Sequence, residues 1–268
     1  MQAGGRRIAV PREDGATLHS RSDGVGGVPL LCCNSLGADL SSWDAQVPIW
    51  AAHREVIRFD ARGHGASTTS PSPYSIDQLG RDAVAVLDAH EVDRADLCGL
   101  SLGGLVALRV AIDRPERVRR LVLACSAPRI GTRDGWEQRA TTVLEGGGTA
   151  AVSAAVLERF FSRRFAQRMP EIVAAVESEL LRVSPVGYAG CCLALAEADL
   201  DHALASITAP TLVIAGSEDI ATPPDVVRRL HEGIAGSEWL EIDGAGHLAN
   251  IEEPERFSLE VERFLSRS

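Results

Sequence analysis

A serine framed by glycines, Gly99-Leu100-Ser101-Leu102-Gly103, lies between an apolar run and a helix-period segment. The G-x-S-x-G spacing suits a sharp strand-to-helix turn that exposes a nucleophilic hydroxyl, with glycine where a Cβ would collide across the turn. A serine attacks a carbonyl only when a base takes its proton. The base in turn needs a carboxylate to hold its tautomer and stabilise the imidazolium. Both types occur downstream at the ends of apolar runs. Asp219 follows the run 211–215, and His247 follows 239–242 in Gly244-Ala245-Gly246-His247. The expected catalytic set is Ser101, Asp219 and His247. Glu218 is the adjacent alternative acid, while the position after the run 118–124 holds Cys125 and Ser126 instead of a carboxylate. His64, in Arg62-Gly63-His64-Gly65, lies upstream of Ser101 and reads as support for a loop beside the turn. His19, His53, His90, His202 and His231 have no such placement and read as surface or capping residues.

Attack on a carbonyl creates an oxyanion, and fixed N–H donors around it supply much of the catalysis. One expected donor is the Leu102 amide, directly after the nucleophile at a helix N-terminus whose dipole favours negative charge. The other is the Leu36 amide in Asn34-Ser35-Leu36-Gly37, which follows the apolar run 29–33. The composition of that segment suits an ordinary turn equally well.

The elements that must position these groups are legible as a repeating pattern. Apolar runs bounded by turn residues fall at 6–10, 29–33, 55–59, 95–98, 118–124, 211–215 and 239–242. Helix-period segments at 75–90, 102–114 and 254–265 intervene or follow. Strands alternating with helices predict the α/β class, with a mostly parallel central sheet flanked by helices. The alternation lapses over 126–207, where helical segments succeed one another. These either extend the core or form a helical cap inserted after a core strand, and the cap is the expectation. The chain then divides into a core, 1–125 and 208–268, and a cap, 126–207, lying over the sheet edge where open α/β sheets bind ligands.

Composition narrows the chemistry. The 268 residues include 45% hydrophobic ones, enough for a sizeable core. The net charge of −10 opposes a nucleic-acid partner. All 27 basic residues are arginine, so a Schiff-base lysine, a phosphate-loop lysine and a Ser-Lys dyad are excluded. The histidines and cysteines lack metal-ligand spacing, and no metal site is expected. The six cysteines read as buried thiols. Arg6 and Arg7 are not followed by an apolar signal segment, and no run is long enough to span a membrane, so a cytoplasmic protein is expected. Whether copies assemble into a homo-oligomer stays open.

With these residues in view, the chain resembles the α/β-hydrolases, and within them the 3-oxoadipate enol-lactonases of the β-ketoadipate pathway of aromatic catabolism. The broad resemblance rests on Asp60-x-Arg62-Gly63-His64-Gly65-x-Ser67, the serine turn, Pro115-Glu116-Arg117-Val118, Gly246-His247 and the order Ser101, Asp219, His247. The narrower one rests on Asn34-Ser35-Leu36-Gly37-x-Asp39-Leu40, Cys98-Gly99-Leu100-Ser101-Leu102-Gly103-Gly104, Arg129-Ile130-Gly131-Thr132 with Trp136, Gly187-Tyr188-x-Gly190-Cys191-Cys192 and Ala221-Thr222-Pro223-Pro224. The resemblance implies hydrolysis of 3-oxoadipate enol-lactone to 3-oxoadipate, without a cofactor.

Such a substrate is a small anionic lactone, and its carboxylate requires a local cation in an acidic protein. Between 129 and 168, seven arginines (129, 133, 139, 159, 163, 164, 168) face four acids (134, 137, 145, 158). Arg133 and Arg139 are the expected carboxylate contacts, with Trp136 as a wall for the ring. Each arginine could equally belong to a solvated helix face. A general carboxylesterase or a C–C bond hydrolase is the alternative on the same scaffold. A small-molecule receptor that retains the triad is the alternative of another class.

Overall fold

The computed structural model describes residues 5–267, so the first four residues and the last residue of the expected core segments lie outside the described residues. Eight strands form one sheet: β1 (Arg6–Pro11), β2 (Thr17–Asp23), β3 (Leu30–Cys33), β4 (Val56–Phe59), β5 (Ala95–Leu100), β6 (Val118–Ala124), β7 (Thr211–Gly216) and β8 (Glu238–Ile242). Their spatial order is β1-β2-β4-β3-β5-β6-β7-β8. β1 pairs antiparallel with β2 and β2 with β4, and every later pairing is parallel.

β3, β5 and β7 are buried at every position, so both sheet faces are covered, as a parallel sheet requires. The covering helices are α1 (Val47–Trp50), α2 (Ile76–Ala89), α3 (Leu102–Asp113), α4 (Arg133–Glu145), α5 (Ser153–Phe160), α6 (Arg163–Arg168), α7 (Pro170–Arg182), α8 (Pro185–Glu197), α9 (Pro224–Gly233), α10 (Ala249–Glu252) and α11 (Pro254–Leu265). α3 packs on β3, β5 and β6, α9 packs on β7, and α11 meets α1. Trp43, Trp50 and Phe257 form an aromatic knot there, with ring centroids 6.0 to 6.4 Å apart. From α4 to α8 the chain between β6 and β7 contains helices and no strand, and α4 packs on α8.

The strand absent from the sequence reading is β2. Along it the inward positions are Leu18, Ser20 and Ser22, so two of three buried side chains are hydroxyls and no apolar alternation appears. Ser20 Oγ is satisfied inside by the Ile8 carbonyl at 3.0 Å and by His90 Nε2 at 3.0 Å. Of the surface and capping readings, His90 meets the second: it caps α2, and it is buried.

The chain leaves β3 toward β4 on one side, while β5 leads to β6 on the other. The carboxyl ends of β3 and β5 therefore flank a topological switch point, where the two loops diverge and leave a crevice. Leu36 follows the first of these strands and Ser101 the second.

Candidate active site

Ser101 terminates β5 and starts α3 with φ 57° and ψ −117°, a left-handed conformation that costs about 1–3 kcal/mol for a residue with a Cβ. Its surroundings hold it there. The Ser101 amide donates to the Ala124 carbonyl at 2.9 Å, and Ser126 Oγ donates to the Ser101 carbonyl at 2.8 Å. The two glycines are required by space. A Cβ on Gly99 would lie 2.1 Å from the Gly103 carbonyl oxygen, and one on Gly103 would lie 2.0 Å from that of Cys33.

β7 and β8 are neighbours, and the loops at their ends bring Asp219 to His247. Asp219 Oδ1 accepts the Ala221 and Thr222 amides at 2.7 and 2.9 Å, and Oδ2 accepts Thr222 Oγ1 at 2.7 Å. Oδ2 also lies 2.8 Å from His247 Nδ1. Burial alone would raise the Asp219 carboxyl, but the His247 charge, its hydrogen bond and the Thr222 donors outweigh it and hold the group below the ordinary aspartate range. An ionised carboxylate only accepts, so His247 Nδ1 donates to it, and in the neutral imidazole that bond leaves the lone pair on Nε2. Glu218, the alternative acid, is exposed. The Phe160 ring stacks on the imidazole with centroids 6.0 Å apart.

The loop after β3 is pinned at both ends. Asn34 Nδ2 donates to the Phe59 carbonyl, and its Oδ1 accepts Trp43 Nε1, both at 2.8 Å. At the far end the Gly37 amide donates to His64 Nε2 at 3.0 Å, while His64 Nδ1 donates to the Arg62 carbonyl at 2.9 Å. His64 thus supports this loop, and burial keeps its imidazole below the ordinary histidine value, in the neutral form this bonding requires. The Ala38 amide closes a turn on the Ser35 carbonyl. Neither the Leu36 amide nor the Leu102 amide makes a protein hydrogen bond among the described residues.

Ser101, His247 and Leu36 line one cavity with Trp136, Arg139 and Arg159. About 490 Å³ of empty space lies in and in front of the cavity, open solvent included. Its roof comes from the helical segment between β6 and β7. Trp136 is fixed by a 2.5 Å hydrogen bond from Nε1 to the Ile130 carbonyl, and the Arg139 guanidinium lies 4.8 Å from its ring centroid. Arg133 does not reach the cavity. It starts α4 on the exposed side, where Glu197 and Glu137 hold its guanidinium, so the expectation that it faces substrate is corrected.

Three contributors escaped the sequence reading. Thr222 was noted only as part of a motif, although its position three residues past Asp219 gives it the reach to cap that carboxylate. Arg159 was counted among the arginines of 129–168 without a role, and it lines the cavity without an ion pair among the described residues. Ser126 was read only as a missing carboxylate, and no sequence signal marks its bond to the serine turn.

All six cysteines are free and buried, and burial pushes the Cys33 thiol up to about 12, far from a reactive thiolate. Among the described residues no group of three His, Cys, Asp or Glu is placed to hold a metal, and no helix is long and apolar enough to cross a membrane.

A family described as alpha/beta hydrolase fold matches residues 28–254. The 3-oxoadipate enol-lactonase 2 of Acinetobacter baylyi is 42% identical over 238 residues, covering 89% of this chain and 88% of that protein. The 3-oxoadipate enol-lactonase 1 of the same organism is 37% identical over 251 residues, 93% of each chain. The crystal structure of the enol-lactonase from Burkholderia xenovorans LB400 superposes with a TM-score of 0.93 at 36% identity, covering 98% of this chain and all of that one. The chain belongs to the alpha/beta hydrolase family, and within it is similar to the 3-oxoadipate enol-lactonases.

Proposed function

We propose that the protein is a serine hydrolase that opens 3-oxoadipate enol-lactone to 3-oxoadipate. Ser101 is the nucleophile, His247 the general base and acid, and Asp219 the group that orients and stabilises the imidazolium. The observation that carries this reading is the Asp219–His247 pair at 2.8 Å opening on the same cavity as Ser101. Support for the lactone comes from relatives named as enol-lactonases that align along most of the chain.

In the first half-reaction Ser101 Oγ bonds to the lactone carbonyl carbon and its proton passes to His247 Nε2. The oxyanion so formed lies against the Leu36 and Leu102 amides. Collapse breaks the ring C–O bond, and the departing enol oxygen takes the proton from His247. The enol stays tethered to the acyl group. In the second half-reaction water gives a proton to His247 as its oxygen bonds to the acyl carbon, and Ser101 leaves with that proton restored. The released enol tautomerises to the ketone.

The helical segment 126–207 serves as the cap over the core formed by 1–125 and 208–268. From it Arg139 and Arg159 meet the carboxylate of the small anionic substrate, and arginine suits that task by its planar fork. The chemistry uses the protein's own side chains and backbone amides together with water, in the cytoplasm. The test follows the loss of enol-lactone absorbance with wild type and Ser101→Ala, with a p-nitrophenyl ester in parallel. Rapid lactone turnover that drops at least about 10³-fold in the variant is the expected result. Ester cleavage without lactone cleavage would leave a general esterase.

A further inference from the structure

Ser35, the residue before Leu36, has a hydroxyl that the chemistry above does not use. Its side chain is buried, with 5% of the residue exposed, and it lines the cavity alongside Leu36, Ser101 and His247. Its Oγ has no hydrogen-bond partner among the described residues. Around it the loop is engaged except at the Leu36 amide: Asn34 uses both its oxygen and its nitrogen, and the Gly37 and Ala38 amides donate. A hydroxyl taken out of water without a partner weakens a fold, and buried polar groups are otherwise paired. An orphan donor on the wall of a reaction cavity is explained by a ligand atom that completes it.

We infer that Ser35 Oγ is a third hydrogen-bond donor to the oxyanion formed when Ser101 attacks an ester or lactone carbonyl, acting beside the Leu36 and Leu102 amides. The inference rests on the serine-hydrolase reading above. Going from carbonyl to oxyanion, the oxygen gains a lone pair and a full charge, so it has room for a third donor that the ground state does not need. Such a bond strengthens as charge develops, and the Ser35 hydroxyl therefore acts on kcat more than on KM.

The test compares wild type, Ser35→Ala and Ser35→Thr on the enol-lactone and on a p-nitrophenyl ester, with inhibition by phenylboronic acid, whose tetrahedral adduct on Ser101 carries the oxyanion geometry. In Ser35→Ala, kcat is expected to fall roughly 10- to 100-fold on whichever substrates the wild type turns over. KM should move less than about threefold, and boronate affinity should weaken by about the same factor as kcat. The melting temperature should stay level or rise, because an unpaired buried hydroxyl has been removed. Ser35→Thr, which keeps the hydroxyl, should recover part of the loss. The inference is overturned if Ser35→Ala keeps kcat within about twofold, if the loss is confined to KM, or if activity and melting temperature fall together without recovery by threonine. Failure of the lactone reading is separately visible. A wild type that cleaves only the ester ends that reading, while the Ser35 comparison still runs on the ester.

Discussion

At Asp219 two opposing effects meet. Burial disfavours its charge, and four donors from Ala221, Thr222 and His247 favour it, with the balance on the ionised side. The ionised state is what fixes the His247 tautomer, so Asp219→Asn should act through that tautomer and leave the structure intact. The amide can donate to Nδ1, which moves the imidazole proton to Nε2 and removes the base. We expect kcat to fall by about 10⁴ with KM little changed, as measured by steady-state kinetics with circular dichroism to check the fold. A loss below about tenfold would show that the carboxylate does not orient the base. Thr222 explains why Asp219 is usable here and exposed Glu218 is not, since its amide and hydroxyl grip the carboxylate from within the same loop.

Among the elements, the junction of α10 with the helical segment deserves a test of its own. Glu252, at the end of α10, accepts Ser162 N at 2.8 Å and Ser162 Oγ at 2.6 Å, where Ser162 caps α6. The Gly246 amide, next to His247, also favours its charged form. One carboxylate thus joins the helical segment between β6 and β7 to the neighbourhood of His247. Glu252→Ala leaves those donors buried and unpaired, and should destabilise by about 2–4 kcal/mol and lower kcat, with Glu252→Gln recovering part of both. Thermal melts and kinetics on the three proteins check this, and equal kcat in all three would deny the link. Most of the elements that build the site were legible because they are largely apolar: β3 and β7 read as near-continuous hydrophobic runs, and β5 and β6 as runs interrupted only by Asp96 and by Arg119-Arg120. β2 was not, because two of its three inward residues are serines, and Ser20 is satisfied by partners at Ile8 and His90 that no local pattern marks. The serine turn and the ends of β7 and β8 were legible because steric need dictates glycine there. The facing of the α4 arginines was not, since Arg133 and Arg139 lie on one helix and only packing against α8 decides which meets the cavity.

For the whole molecule, pH acts on the fold through buried histidines before it acts on Asp219. Burial holds His64 and His90 below their ordinary value of 6.5, so the folded state binds fewer protons than the unfolded one as pH drops through that value. Their neutral-state stabilisation is complete above about pH 6.5 and is lost as pH falls toward their lowered folded values, by up to about 1.4 kcal/mol per pH unit for each imidazole. Urea unfolding between pH 7.5 and pH 5 should show this as stability rising with pH, and a flat profile would contradict it. Asp219 has the same sign in a lower window, with its contribution lost only below its ordinary value of 3.8. The most direct test of the central claim, that Ser101 is the activated nucleophile of lactone hydrolysis, is covalent labelling with a p-nitrophenyl phosphonate followed by peptide mass spectrometry. The account predicts one adduct per chain on the peptide containing Ser101, loss of lactone turnover in step with labelling, and protection by 3-oxoadipate. Lactone turnover that persists after complete labelling of Ser101, or labelling at another residue that abolishes it, would contradict the account.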